Sequence, residues 1–391
     1  MYNISVKIPI EREPWKIPFE YRKARVLKSI FEGKKIAIMF YHTADTSTFR
    51  YRCYNPMQTL NDSNIWDSVY FFREEIKQIY DLIPKVSMLI FVRIKWEYIV
   101  DDLVRRVRNL KIPILFDIDD LVCNIRYIKT VTNTLNVHFG GEVDYDFWFS
   151  YISRLEYTAS LVDGFITTNN YLGERLEDRF NKPYQIIPNS INQEQLKASE
   201  RCLSIKNKTK FTSPFTIGYF SGTPSHINDF RTVYSEILSF LHDFPDSILL
   251  VVGFMEFPES MQPYIKNKQV QYMPLVDFVE LQRLIAQVDV NIVPLVENIF
   301  TNCKSELKFF EAAIVETPTI AAPIYTYRSA ITDGETGFLC QPGQMYERLK
   351  QLYNDRVFAK QMAGKARDYC LREYTGKKVL DSIETAYNYF M

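Results

Sequence analysis

Apolar residues in this chain fall into two successive series of short runs, separated by longer stretches with helical spacing. The first series occupies residues 34–41, 87–93, 112–118, 164–168 and 184–187, and each run reads as a buried strand. Residues 97–110 and 148–161 lie between these runs and read as helices. Continuous apolar strands alternating with helices predict a parallel sheet covered on both faces. The rhythm then stops. Residues 189–214 are rich in Lys, Ser, Asn and Gln and read as a linker. It restarts with predicted strands at 215–220, 247–253, 270–273, 289–294 and 319–322, and predicted helices at 228–244, 277–286 and 304–316. The last ~40 residues are helical in pattern, with breaks at Gly364 and Gly376.

Two rounds of the same alternation predict an α/β chain: two Rossmann-like, doubly wound domains facing across a cleft, with C-terminal helices. The length of 391 residues agrees, being too great for one ordinary core. The expected division is an N-terminal extension over 1–33, a first domain over 34–195, a second over 196–370, and a last helix over 371–391 that could return to the first domain. In open sheets of this kind, ligands sit beyond the carboxyl ends of the strands, which places the site between the domains. The extension contains a basic, aromatic, partly amphipathic segment at residues 15–31. Such a segment could lie on an anionic membrane surface or pack as a helix on the first domain.

Charge narrows the partners. Lys and Arg number 47, as do Asp and Glu, so the formal net charge is zero and no nucleic-acid partner is expected. No apolar run reaches the ~20 residues that span a bilayer. The N-terminus lacks a signal-peptide layout. The cysteines Cys53, Cys123, Cys202, Cys303, Cys340 and Cys370 are scattered without metal spacing, and the four histidines are dispersed. That pattern fits reduced thiols in a cytoplasmic protein and gives no legible zinc site.

The densest chemistry lies between Asn302 and Pro323. On a helix over 304–316, Lys304, Lys308 and Glu311 share one face at i, i+4 and i+7, near the helix start. Helix N-termini attract anions. Two cations and a carboxylate there suit a ligand carrying phosphates and a sugar diol. A solvated ion-pair face is the plainer alternative.

Upstream, residues 218–229 run from a strand through a small-residue loop into a helix start. Gly222 permits close backbone approach, and Thr223, Ser225 and the loop amides could cradle a diphosphate. The loop is neither a dinucleotide fingerprint nor a P-loop, and an ordinary turn capped by Ser225 or Asn228 would look the same.

In the first half, Phe116-Asp-Ile-Asp-Asp-Leu121 closes a predicted strand, with Asp117 and Asp119 on one side and Asp120 on the other. Acids at a carboxyl edge can bind hydroxyls, accept a proton, hold a divalent cation or cap the next helix. Arg50 and Arg52 could meet an anionic or hydroxylated acceptor.

The second half resembles the donor domain of retaining glycosyltransferases with two facing Rossmann-like domains, the GT-B architecture, and specifically family 4. The matching text is Phe220-Ser-Gly-Thr-Pro, Val293-Pro-Leu, Lys304-Ser-Glu-Leu-Lys-Phe-Phe-Glu311, Glu316-Thr-Pro-Thr-Ile-Ala-Ala-Pro and Asp333-Gly-Glu-Thr-Gly-Phe-Leu. The first half resembles bacterial cell-surface polysaccharide transferases more loosely, through Tyr51-Arg-Cys-Tyr-Asn-Pro and Phe116-Asp-Ile-Asp-Asp-Leu.

The resemblance implies a nucleotide diphosphate sugar held mainly by the second domain and a glycan or lipid-linked glycan acceptor against the first. It implies transfer of a hexosyl or deoxyhexosyl group with retention of configuration, in polysaccharide biosynthesis, in the cytoplasm or at the inner face of its membrane. Glu311 would hold the nucleotide ribose. Lys304 and Lys308 would serve the diphosphate, backed by Gly222, Thr223 and Ser225. The backbone around Phe300, Thr301 and Asn302 would approach the donor sugar, while Arg52, Asp119 and Asp120 would lie near the acceptor. The architecture requires no metal or other cofactor, and no catalytic residue is assigned.

Two features depart from the family. The first glutamate of its paired-glutamate motif would fall near Cys303 and is absent. Residues 46–48 replace the usual glycine-rich loop. The first departure leaves room for a non-catalytic nucleotide-sugar-binding or scaffolding subunit. Asp117-Ile-Asp119 also prompts a metal-dependent transferase with one nucleotide domain, against which the alternation restarting after Pro214 argues.

Overall fold

A computed structural model describes residues 13–135, 141–207, 214–222 and 226–391. Two six-stranded parallel sheets form the frame. The first contains β1 (Lys35–Tyr41), β2 (Trp66–Phe72), β3 (Met88–Val92), β4 (Ile114–Ile118), β5 (Gly164–Thr167) and β6 (Tyr184–Ile186) in the order β2-β1-β3-β4-β5-β6. The second contains β7 (Thr216–Ser221), β8 (Ile248–Gly253), β9 (Val270–Met273), β10 (Val290–Val293), β11 (Thr319–Ala321) and β12 (Phe338–Leu339) in the order β12-β11-β10-β7-β8-β9. Every pairing is parallel, and helices cover the sheets. Strand order reverses between β1 and β3 in one sheet and between β7 and β10 in the other. These reversals are where crevices open at the carboxyl ends of the strands. The fold is thus α/β with two Rossmann-like domains.

Strand β2 was not legible from periodicity because two polar residues interrupt its apolar run. Both are buried. Asp67 is held by the first helix, Phe19–Phe31, through Arg25 (Nη2–Oδ1 2.5 Å) and the Ser29 hydroxyl (2.7 Å). The same helix places Arg22 in a fork on Glu75, at 2.6 and 2.8 Å, with Nη1 also donating to the Tyr70 carbonyl. Trp15, ahead of the helix, is buried against Phe49, Tyr54 and Phe278. Most of segment 15–31 therefore packs on the first domain, while Tyr21 and Phe31 face outward at 72% and 92% exposure.

The polar stretch expected to be a linker contains a 14-residue helix, Gln193–Lys206. Asn192 caps it by accepting from the Gln195 amide at 2.8 Å. Its polar residues misled the periodicity because several are buried and paired rather than solvated. Ser199 donates to Gln282 at 3.0 Å. Lys206 Nζ donates to the carbonyls of Val315 and Glu316 and to the Thr317 hydroxyl. The helix so grips the second domain directly after the chain leaves the first. At the other end, the helix Gly376–Tyr389 lies on the first domain: Trp66 Nε1 donates to Asn388 at 3.0 Å and Ser63 to Glu384 at 2.5 Å.

Candidate functional site

Directly after β1 the chain makes a turn of π-helix, Arg50–Tyr54, in which the Asn55 amide donates to the Arg50 carbonyl. Such turns are rare and recur at functional sites. All five of its residues are buried. Arg52 forks onto Asp117 at the end of β4, with Nε–Oδ1 at 2.7 Å and Nη2–Oδ2 at 2.9 Å. Its Nη1 donates to the Ile187 carbonyl and to Asn189. At 1% exposure, Arg52 belongs to the interior of the first domain. The sequence expectation put it beside an acceptor; in the structure its hydrogen bonds go to Asp117, Ile187 and Asn189 of its own domain.

Asp120 makes contact with the second domain, while Asp119 is held within the first. Arg93, immediately after β3, adopts a left-handed backbone (φ 47°), an uncommon conformation for a residue with a side chain. Its Nη1 donates to Thr48 at 2.9 Å and to Asp119 at 3.2 Å, and lies 3.6 Å from Asp120. Thr48 also donates to Asp119 at 3.1 Å. From the second domain, Lys304 Nζ comes within 3.5 Å of the other Asp120 oxygen. A row of alternating charge, Arg93–Asp120–Lys304, thus crosses between the domains. Nearby, His42 Nε2 accepts from the Lys95 amide at 3.1 Å. Burial, reinforced by the Lys95 charge, pushes this imidazole down to about 4, so it is neutral at physiological pH. Sequence reasoning missed Arg93. Its one signal was a charged residue at the carboxyl end of a buried apolar run.

In the second domain, Asn298 organises the turn after β10. Its Oδ1 accepts from the amides of Phe300 and Thr301 at 2.9 and 3.0 Å, and its Nδ2 reaches Thr134 of the first domain. The Phe300 and Cys303 side chains pack into the first domain's core. Thr301 Oγ1 donates to the Val296 carbonyl, and Asn302 Oδ1 accepts from the Tyr325 amide. The side chains of Phe300, Thr301 and Asn302 are therefore tied into the protein.

The helix expected over 304–316 is shorter, running from Leu307 to Ala313. A single turn, Thr301–Cys303, precedes it, and Lys304 is extended (φ −71°, ψ 156°). Lys304 consequently does not share a helical face with Lys308 and Glu311. It approaches the same region from the preceding loop.

Lys308 is half-buried, and its ammonium has no hydrogen bond or ion pair among the described residues; Nζ lies 6.0 Å from the centre of the Tyr219 ring. Loss of surrounding water pushes it down to about 8. Lys304 acts in the same direction, while Asp229 and Glu311 oppose the shift.

Glu311 is 3% exposed. Its Oε1 accepts from the Tyr51 hydroxyl at 2.5 Å and from Gln195 Nε2 at 3.2 Å, and lies 3.5 Å from Arg50 Nη2. The only carboxylate in the 302–311 segment besides Glu311 is Glu306. Burial raises its pKa, opposed by the hydrogen bond it accepts from Tyr374 at 2.7 Å. Cys303 is fully buried and its thiol donates to the Ile299 carbonyl. Gly222, at the end of β7, is exposed, and a Cβ there would meet nothing within 4 Å among the described residues. Thr223 and Ser225 lie outside the described residues.

Two facing doubly wound domains, with charged residues gathered at both strand-order reversals, define the GT-B class of fold. Residues 215–355 match the family described as glycosyl transferases group 1, so the second half carries a domain of that type. Solved structures agree on the whole fold. HepE of Anabaena, determined in complex with UDP, superposes with a TM-score of 0.60 at 11% identity, covering 91% of this chain and 100% of that one. A glycosyltransferase from Rickettsia africae gives 0.57 at 14% identity, covering 91% and 98%. Sucrose-phosphate synthase from Thermosynechococcus elongatus gives 0.55 at 14% identity, covering 91% and 99%. No curated protein matches the chain by sequence.

The Arg52–Asp117 pair yields a stability prediction. Asp117→Asn leaves a guanidinium buried without its counter-ion, which should cost about 3–5 kcal/mol. Urea unfolding should show the loss as a lower midpoint. A midpoint equal to that of the wild type would mean that the pair does not hold the π-helical turn.

Proposed function

We propose that the protein is a glycosyltransferase that moves a sugar from a nucleotide diphosphate sugar to a hydroxyl of a glycan or lipid-linked glycan, with retention of configuration. The observation that carries this reading is Lys308: a desolvated cation without an ionic partner among the described residues, in the domain that matches the family and beside Tyr219 of β7. A partly desolvated cation without a counter-ion carries a cost that an anionic ligand would relieve. Glu311, three residues on, offers a carboxylate for a pentose diol, and Lys304 a second cation. Among the described residues nothing packs against a Cβ at Gly222, which suits a backbone that must let a phosphate approach.

On this reading the chemical work is stabilisation of the leaving diphosphate by the lysines and loop amides. Asp119 and Asp120, fixed by Arg93 and Thr48, would face the acceptor hydroxyls. No metal is needed for such leaving-group stabilisation. HepE was determined with UDP and with UDP-glucose, which supports a uridine nucleotide as the first donor to try.

Cys303 favours a second reading. It is a buried thiol near the position where the resemblance would put the first glutamate of the family's paired-glutamate motif. A nucleotide-sugar-binding subunit that does not itself transfer would tolerate that change. The two readings part on donor hydrolysis. A transferase should release nucleoside diphosphate slowly from its donor without acceptor, and should do so undiminished in EDTA. Binding with no release, over a panel of nucleotide sugars, would leave only the binding subunit. Activity abolished by EDTA and restored by a divalent cation would refute metal independence.

Calorimetric titration with nucleoside diphosphates tests the site. The wild type should bind at least one of them, and Lys308→Ala should weaken it about tenfold, the scale of one charge-assisted hydrogen bond. Gly222→Ala should fold normally and also bind more weakly. No heat with any nucleotide would refute the proposal.

The pH dependence has a definite sign. Anions favour the protonated lysine, which predominates below about 8 in the free protein. Affinity should therefore fall as pH rises through and beyond that value, since the diphosphate raises the lysine's pKa in the complex. Lys308→Ala should flatten this slope, and an unchanged slope would assign it to another group.

A further inference from the structure

We propose that in the free protein the first domain itself occupies the donor site, so that a nucleotide binds by displacing it. The inference rests on the donor-site reading above and concerns how that site is entered.

Two contacts carry it, one at each end of the site. At the pentose end the Tyr51 hydroxyl donates to Glu311 at 2.5 Å, the bond a ribose hydroxyl would make to that carboxylate. Gln195 donates to the same oxygen at 3.2 Å, and Arg50 stands 3.5 Å away. At the phosphate end the Asp120 carboxylate lies 3.5 Å from the Lys304 ammonium, an anionic oxygen where a phosphate oxygen would be. Tyr51 and Asp120 both come from the first domain, and Glu311 and Lys304 both come from the second. Tyr51, Arg50 and Glu311 are each under 5% exposed, so no ligand reaches the Glu311 carboxylate while Tyr51 is in place.

The buried hub is also incompletely satisfied. Arg50 Nη1 and Gln195 Oε1 are both buried and have no hydrogen-bond partner among the described residues. One is a donor and the other an acceptor, and a pentose diol can serve both, since each hydroxyl donates and accepts. The Arg50 guanidinium lies over the rings of Tyr51 (4.1 Å) and Phe278 (4.7 Å), contacts that hold the plug in place without spending its hydrogen-bonding capacity. Lys308 has no ion pair among the described residues and so is the foothold at which an incoming phosphate would arrive. Displacement then proceeds by exchange: phosphate for Asp120 on Lys304, and ribose hydroxyl for Tyr51 on Glu311. The cost of opening lowers the apparent affinity by the fraction of molecules that are open.

Calorimetry on the full chain with UDP, GDP, ADP and dTDP tests this. Tyr51→Phe keeps the ring and removes the mimic hydroxyl. Asp120→Asn keeps the shape and removes the mimic charge at a partly exposed position, so it should leave folding intact even where Tyr51→Phe disturbs it. Each single variant should bind the best nucleotide more tightly than wild type, and the double variant about fivefold or more. Unchanged or weaker binding in Asp120→Asn and in a folded Tyr51→Phe, with a wild type that does bind, would overturn this inference and leave the donor-site reading standing. Failure of wild type and every variant to bind any of the four would overturn both. Binding by the variants alone would support the displacement in its strongest form.

Discussion

A single turn of π-helix, from Arg50 to Tyr54, is the constraint on which the arrangement of this molecule depends. Its side chains leave in several directions. Arg52 runs into the first domain and locks the end of β4 to the segment after β6 through Asp117, Ile187 and Asn189. Tyr51 crosses to Glu311 in the second domain. Tyr54 donates to Glu194 in the helix between the domains, at 2.8 Å. Asn55, just beyond the turn, donates to the Ser190 carbonyl and accepts from Asn192. Burying so many polar groups is tolerable only because nearly all find partners. These directional contacts act within a continuous apolar seam between the domains: one buried cluster joins Trp15, Phe49, Cys53 and Met57 to Phe220, Leu250, Phe278 and Leu284, and Phe300 enters the first domain's core. Directional contacts specify one arrangement sharply, and they also let it be exchanged when a competing polar ligand arrives.

How far the sequence could be read follows from the same distinction. Both sheets were legible wherever strands were uninterrupted apolar runs, as in β1 and β8, because such runs need no partner to be recognised. β2 was lost at Asp67 and Ser68, and the helix Gln193–Lys206 was lost among its glutamines and serines. In each case polar residues lie in the interior because specific partners satisfy them, which no periodicity records. Spacing drew Lys308 and Glu311 together, since three residues along a helix is a local relation. Extending that helix back to Lys304 failed because Asn298 and its neighbours build a capped turn there instead. The partners of Glu311 were out of reach for a simpler reason. Tyr51 and Arg50 lie 260 and 261 residues away in the chain, and only the fold brings them near.

The electrostatic design of the cleft is uneven. Lys304 and Arg93 are compensated by Asp119 and Asp120, and Glu311 by Arg50. Lys308 stands apart, with Asp229 and Glu311 felt only at a distance. Net neutrality of the whole chain hides this local surplus. It is also why composition alone, which argues against a nucleic-acid partner, says nothing of a small anion. A desolvated lysine titrating near 8 is poised between two states, and an anion beside it would fix the charged one.

If the proposed function holds, the side chains of residues 300–303 bear on how a donor sugar could be held. Phe300 and Cys303 are buried in the first domain's core, and the Thr301 and Asn302 side chains are bonded back into the second. Contacts to a sugar from this segment must then come from its backbone, or from the first domain across the cleft. Backbone groups distinguish the positions of hydroxyls but cannot supply a negative charge. On the proposed reading a carboxylate near the sugar could be Asp120, paired with Arg93 and Lys304, or Asp229, whose charge acts on Lys308. If Asp120 leaves Lys304 when a diphosphate arrives, the same movement frees a carboxylate on the acceptor side of the cleft. Release of the site from its own first domain and delivery of an acid toward the reacting sugar would then be one event. On the proposed reading, that would link the domain-spanning charges to the reaction.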